Sequence, residues 1–153
     1  MDVYKHLLIA TDGSELARKA VDQGFDLAKA LKARATVINV TPCWTSTFSG
    51  EAALAFPSEI SNKNENYNKI IAEEASKILS AVDDAAKKAD ITCDTMHVID
   101  RFPADGIIET ATTRGCDLIV MASHGRRGLR RLILGSQANE VVTRSTIPVL
   151  VCR

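Results

Sequence analysis

Leu118-Ile119-Val120-Met121-Ala122-Ser123-His124-Gly125, followed after nine residues by Gly135-Ser136, is the stretch on which the fold of this chain turns. The apolar run from Leu118 to Met121 is short and rich in branched residues, the pattern of a buried strand. It opens into a glycine loop and then a new helix. Such a turn aims unpaired backbone N–H groups and a positive helix end at one spot, which suits an anion such as phosphate. The loop carries Arg126, Arg127, Arg130 and Arg131. Their forked guanidinium groups match phosphate oxygens, and they equally form a solvated basic face.

Outward from this unit, two hydrophobic periods alternate along the chain. Strands are expected over His6 to Ala10, Ala35 to Val40, Ile91 to Ile99, Asp117 to Met121 and Pro148 to Cys152. One helical stripe runs through Ala17, Ala20, Val21, Gly24, Leu27, Ala28 and Leu31, and a second through Ile70, Ile71, Ala75, Ile78, Leu79, Val82 and Ala86. Shorter helices are expected from Pro103 to Thr113, with proline in the first turn, and from Ser136 to Arg144. Strict alternation of strand and helix implies parallel strands joined by right-handed crossovers, hence an α/β sheet with helices on both faces. Residues 1–153 read as one domain without repeat or linker. Thr41 to Asn64, with Pro42, Gly50 and Pro57, is expected to be a long irregular insertion. Its Trp44, Phe48 and Phe56 suit either packing of the loop itself or covering of a ligand.

Composition narrows the function classes. Nineteen basic and nineteen acidic residues cancel, so no whole-molecule field draws the chain to nucleic acid or an anionic membrane. The arginine patch is short and lacks neighbouring aromatic residues for base stacking. Cys43, Cys93, Cys116 and Cys152 show neither a C-x-x-C pair nor zinc-ligand spacing, which fits buried thiols in a reducing compartment. The apolar run Leu7 to Ala10 is too short for a signal-peptide core or a membrane span. A cytoplasmic protein is expected.

Ligands of open parallel sheets gather at the carboxyl ends of strands where the winding reverses. The first strand ends in Thr11-Asp12-Gly13-Ser14 and the fourth in Ser123-His124-Gly125, so both leave polar groups at that edge. Asp12 with Glu15 matches a capping box, and Asp12 alone suits a ribose, an adenine edge or a divalent cation. Ser136 is either an ordinary N-cap or a phosphate neighbour, and His124 either a structural hydrogen-bonder or a phosphate contact.

At these residues the chain resembles the universal stress protein family. Three segments carry the resemblance: Leu8 to Glu15, Met121 to Gly128, and Leu134-Gly135-Ser136 with Ile147 to Val151. The resemblance implies a Rossmann-like open five-stranded parallel sheet of order 3-2-1-4-5. It also implies the ATP-binding branch, whose pattern is glycine, two residues, glycine, nine residues, then glycine with Ser or Thr. Gly125 and Gly135-Ser136 match its second part, whereas Ala122 stands at its first glycine. An alanine there adds one methyl group and fits where φ is negative.

Carried over, the resemblance implies that Asp12 and the backbone of Val40 hold adenosine, with Thr11 beside them. Gly125, Gly135, Ser136 and Gln137 would surround the phosphates. Met121 and Ala122 would line the pocket, Ser123 and His124 would lie on the connecting loop, and Arg126 and Arg127 would stand nearest the glycines. No P-loop motif G-x-x-x-x-G-K-[ST] occurs, and no catalytic base is evident, so catalysis is expected to be at most a slow ATPase assisted by magnesium or manganese. A nucleotide-dependent regulatory protein in stress survival is the leading expectation, with an unidentified protein partner. A nucleotide-free interaction module of the same fold is the alternative. The apolar run Pro148 to Cys152, at a sheet edge in the implied order, invites pairing as a homodimer.

Overall fold

The computed structural model describes residues 3–42, 57–100, 102–125 and 134–153, with the side chains of residues 57–64 outside that description. Five strands form one parallel sheet: β1 (His6–Ala10), β2 (Arg34–Thr41), β3 (Cys93–Ile99), β4 (Leu118–Ala122) and β5 (Val149–Cys152). Their order is β3-β2-β1-β4-β5, as the resemblance implies. Register runs Leu8 against Thr36 and Ile119, so β1 is the central strand between β2 and β4.

Among the described residues the helices are α1 (Glu15–Leu31), α2 (Pro57–Ala89), α3 (Pro103–Thr113) and α4 (Ser136–Arg144). Side chains alternate across a pleated strand, so β1 sends Leu7 and Ile9 to one face and Leu8 to the other. Leu7, Ile9, Val37 and Val120 pack beneath α1 and α2, against Ala17, Ala20, Val21, Phe25, Val82 and Ala86. Leu8, Ile38, Ile119 and Met121 pack beneath α3 and α4, against Ala104, Ile107, Ala138 and Val141. Helices therefore cover both faces, and the central strands read as continuous apolar runs because neither face meets water.

Several boundaries differ from the sequence expectation. The insertion expected to reach Asn64 gives way to helix at Pro57, so α2 is 33 residues long. Proline lacks the N–H that a first helical turn leaves unpaired, and its fixed φ suits that position. Ile70 is 63% exposed rather than buried. At 3.6 residues per turn it lies about 150° around the helix from the stripe formed by Ala75, Leu79, Val82 and Ala86. The third strand begins at Cys93, not Ile91, because Asp90 takes a left-handed φ of 56° and Ile91 N–H closes α2 on the Ala86 carbonyl at 3.0 Å. Trp44, Phe48 and Phe56 lie outside the described residues. Among the described residues, no helix is long and apolar enough to cross a membrane.

Candidate functional site

The first strand ends in a run of side-chain-to-backbone bonds. Thr11 Oγ1 accepts from Gly13 N–H at 3.2 Å and Asp12 Oδ1 accepts from Ser14 N–H at 2.9 Å. Ser14 then caps α1, its Oγ accepting from Ala17 N–H at 3.2 Å. The capping box expected from Asp12 and Glu15 is thus replaced by Ser14, and Asp12 holds the turn before the helix. Gly13 sits at φ 77°, the left-handed conformation that this tight reversal needs.

The fourth strand ends equally firmly. Ser123 N–H donates to the Cys152 carbonyl at 2.8 Å, and the Ser123 carbonyl accepts from Gly135 N–H at 2.7 Å. Ser123 Oγ lies 2.9 Å from His124 Nδ1. At 2% exposure Ser123 anchors the loop from beneath rather than facing solvent. Gly135, not Ser136, is the N-cap of α4, and it supplies no side-chain cap. A Cβ at Gly135 would lie 3.0 Å from the Ser123 carbonyl oxygen and 3.4 Å from His124 Cα, so any larger residue would press the helix start a few tenths of an ångström away from β4.

These two strand ends meet. A Cβ on Gly125 would stand 2.7 Å from Asp12 Oδ2, so the carboxylate lies against the glycine's backbone. Ser136 and Gln137 occupy the exposed first turn of α4. The Gln137 side chain points toward α3, its Oε1 accepting from Ala104 N–H at 3.1 Å and capping that helix, whose own cap residue Phe102 offers no side-chain bond. Met121 is buried in the core beneath α3 and α4. Ala122 packs with the core beneath α1, beside Cys152, and its φ is not positive, so the methyl group that replaces glycine is accommodated. Arg126 and Arg127 lie outside the described residues.

Val40 completes the edge on the other side of β1. Arg34 N–H donates to the Lys5 carbonyl and Thr11 N–H to the Ile38 carbonyl, so the even-numbered residues of β2 turn their peptide groups toward β1. Ala35 N–H and the Thr41 carbonyl bond instead to Thr92 and Asp100, on the β3 side. The N–H and C=O of Val40 therefore face the β1 side, beyond the point where β1 has ended at Ala10. Neither finds a hydrogen-bond partner among the described residues. Asn39, absent from the sequence expectations, is 3% exposed and donates from Nδ2 to the Thr11 carbonyl at 2.8 Å. Its signal in the sequence is a carboxamide inside the apolar run Val37-Ile38-Asn39-Val40. Nearby, His97 Nε2 lies 2.7 Å from Thr41 Oγ1, and burial lowers the pKa of this imidazole.

Comparison with known proteins agrees with this architecture. Residues 3–153 match the model of the universal stress protein family. Universal stress protein MJ0531 of Methanocaldococcus jannaschii is 32% identical, covering 99% of this chain and 84% of the relative. Universal stress protein YxiE of Bacillus subtilis is 31% identical, covering 99% of this chain and all of the relative. Among solved structures, the MJ0577 protein superposes with a TM-score of 0.80 at 23% identity, over 98% of this chain and 96% of that one. A universal stress protein crystallised in complex with cAMP superposes with a TM-score of 0.69 at 25% identity, over 99% and 98% of the two chains. The chain belongs to the universal stress protein family.

Proposed function

We propose that this protein binds an adenine nucleotide, ATP foremost, across the carboxyl edge of β2, β1 and β4, and that occupancy regulates its activity in stress survival. The observation that carries the reading is the order of complementary groups along that edge. Val40 offers an open N–H and C=O, a donor–acceptor pair suited to the edge of a base. Asp12, one strand over, offers a carboxylate suited to ribose hydroxyls. The uncapped amides of α4, beyond Gly125 and Gly135, suit phosphates. From β2 to β4 is two strand spacings, about 10 Å, roughly the reach of a nucleotide from base to phosphate. The relative crystallised with cAMP supports an adenine nucleotide as the ligand class. The Ala122 methyl, packed on the α1 side, leaves this path clear.

The phosphate end is held by backbone rather than by the Gln137 side chain, which is engaged with α3. Thr11, Ser123 and His124 shape the two turns, and Ser136 stands at the phosphate end. Arg126 and Arg127 would add charge there. The reading extends to a homodimer paired through β5 as an edge strand.

Purification without added nucleotide, denaturation and mass spectrometry of the released small molecules test the proposal. Recovered ATP, or a thermal shift with millimolar ATP, is expected. Absence of both a released adenine nucleotide and a thermal shift would overturn it. Incubation of the loaded protein with magnesium or manganese then measures any ADP formed, and a slow ATPase would be read from that arm alone.

A further inference from the structure

Asn39 is held in an unusual way. Its carboxamide is almost wholly buried, Nδ2 donates to the Thr11 carbonyl at 2.8 Å, and Oδ1 has no hydrogen-bond partner among the described residues. The flipped amide would set oxygen against oxygen, so this orientation is fixed by the Thr11 carbonyl. An unsatisfied buried oxygen costs stability, and a valine in its place would not carry that cost.

The Thr11 carbonyl is also the next rung of the β1–β2 ladder. In a parallel pair, the bond from Thr11 N–H to the Ile38 carbonyl is followed by one from Val40 N–H to the Thr11 carbonyl. That bond is missing, and the acceptor is engaged by Asn39 instead. We infer that Asn39 is a positioning residue for the nucleobase: by drawing the Thr11 carbonyl to its own amide, it ends the ladder one bond early and keeps the Val40 N–H and C=O open for a base. The inference rests on the nucleotide reading above and assigns the choice of base, rather than phosphate affinity, to this side chain. It also explains why a polar group persists in a strand whose neighbours are apolar: local stability is given up where the ligand needs an unpaired peptide.

Amide hydrogen exchange and binding of two probes test this. In the unliganded wild type the Val40 amide is expected to exchange fast, and to slow when ATP is added. In Asn39→Val the Val40 amide is expected to be protected without ligand, the melting temperature to stay level or rise, and ATP affinity to fall about tenfold, the equivalent of ~1.4 kcal/mol. Affinity for inorganic tripolyphosphate, which has no base, is expected to be unchanged. General damage to the fold would instead weaken both probes. A Val40 amide already protected in an ATP-binding wild type, or a folded N39V that binds ATP as tightly as wild type, would overturn the inference. The wild-type exchange measurement needs no variant and decides the matter even if N39V does not fold. Wild-type protein that shows a fast-exchanging Val40 amide and no affinity for ATP would overturn the nucleotide reading itself, and with it the base as occupant.

Discussion

Substituting Gly125 by alanine isolates the contact on which the site's geometry depends. The added Cβ would stand 2.7 Å from Asp12 Oδ2, whereas ordinary contact begins near 3.4 Å, so the carboxylate must withdraw by about 0.7 Å. The backbone itself tolerates alanine, since φ at Gly125 is not positive. Restricting the unfolded chain contributes about 0.4–1 kcal/mol in favour of the variant. Against that stands partial loosening of the 2.9 Å bond from Ser14 N–H to Asp12 Oδ1. A charge-assisted bond of this kind contributes about 1.5–3 kcal/mol when fully made. The two effects nearly offset, so the melting temperature of G125A should stay within a few degrees of wild type. Binding has no such offset. If Asp12 bonds a ribose hydroxyl, misplacing it forfeits much of one charge-assisted bond and ATP affinity should fall by roughly 10–100-fold. Calorimetric titration with ATP beside a thermal melt reads both quantities on one sample. G125A that binds ATP within twofold of wild type, with an unchanged melt, would refute the role given to Asp12.

Three further outcomes are expected. Burial, reinforced by Arg34, lowers the pKa of His6, so the folded state favours its neutral form. Its contribution to stability is therefore intact above the unfolded value near 6.5 and is lost as pH falls below that toward the folded value. Urea midpoints measured from pH 8 to 5 should show this loss, and His6→Gln should flatten it; an equal slope in the variant would count against His6. Leu150, 40% exposed on β5, should sit in the dimer contact, so Leu150→Lys should shift sedimentation from dimer to monomer, while a wild-type monomer at micromolar concentration would sink the β5 dimer. Burial pushes the Cys93 and Cys116 thiols up to about 11, so both should resist iodoacetamide at pH 8 far better in the native than in the unfolded chain. Site-resolved mass spectrometry checks this, and equal rates in the two states would contradict it.

The order of elements was legible because each strand and helix carries its own period. The run Leu118 to Met121 and the stripe Ala17 to Ala28 announce their burial without tertiary information. Boundaries were less legible where backbone bonding decides them. Nothing in Ile91 marks it as the closing amide of α2 rather than the first residue of a strand. The polar residues from Pro57 to Asn64 lack an apolar stripe, so their helix had only the proline as a signal. At the site, the glycine spacing pointed to Gly125 and Gly135, but no spacing rule says that Asp12 would rest on Gly125. The expected capping box failed because Ser14, two residues on, offers a hydroxyl at the true helix start. Asn39 was missed for a different reason. Its role depends on which carbonyl its amide meets, and that partner is 28 positions away in sequence.

The topology explains why these particular residues converge. With order β3-β2-β1-β4-β5, the chain winds one way from β1 and the other way from β4. The connection after β1 rises to α1, on one face, and the connection after β4 leads to α4, on the other. Two loops leaving neighbouring strands in opposite directions open a crevice that no side chain needs to carve. Asp12 rests against Gly125 and the Ser123 carbonyl against Gly135, so a glycine stands at each close approach between the two strand ends. Because β2 runs past the end of β1, the open peptide of Val40 lies on the same edge of the sheet. A nucleotide lying there would touch three strands that are distant in sequence. Binding would therefore tie β2, β1 and β4 together at their carboxyl ends. The Gln137 bond to Ala104 N–H extends that tie to α3 through a side chain that touches no phosphate. A filled pocket would then change how firmly the N-termini of α3 and α4 are held, which is a physical route from occupancy to that helix pair.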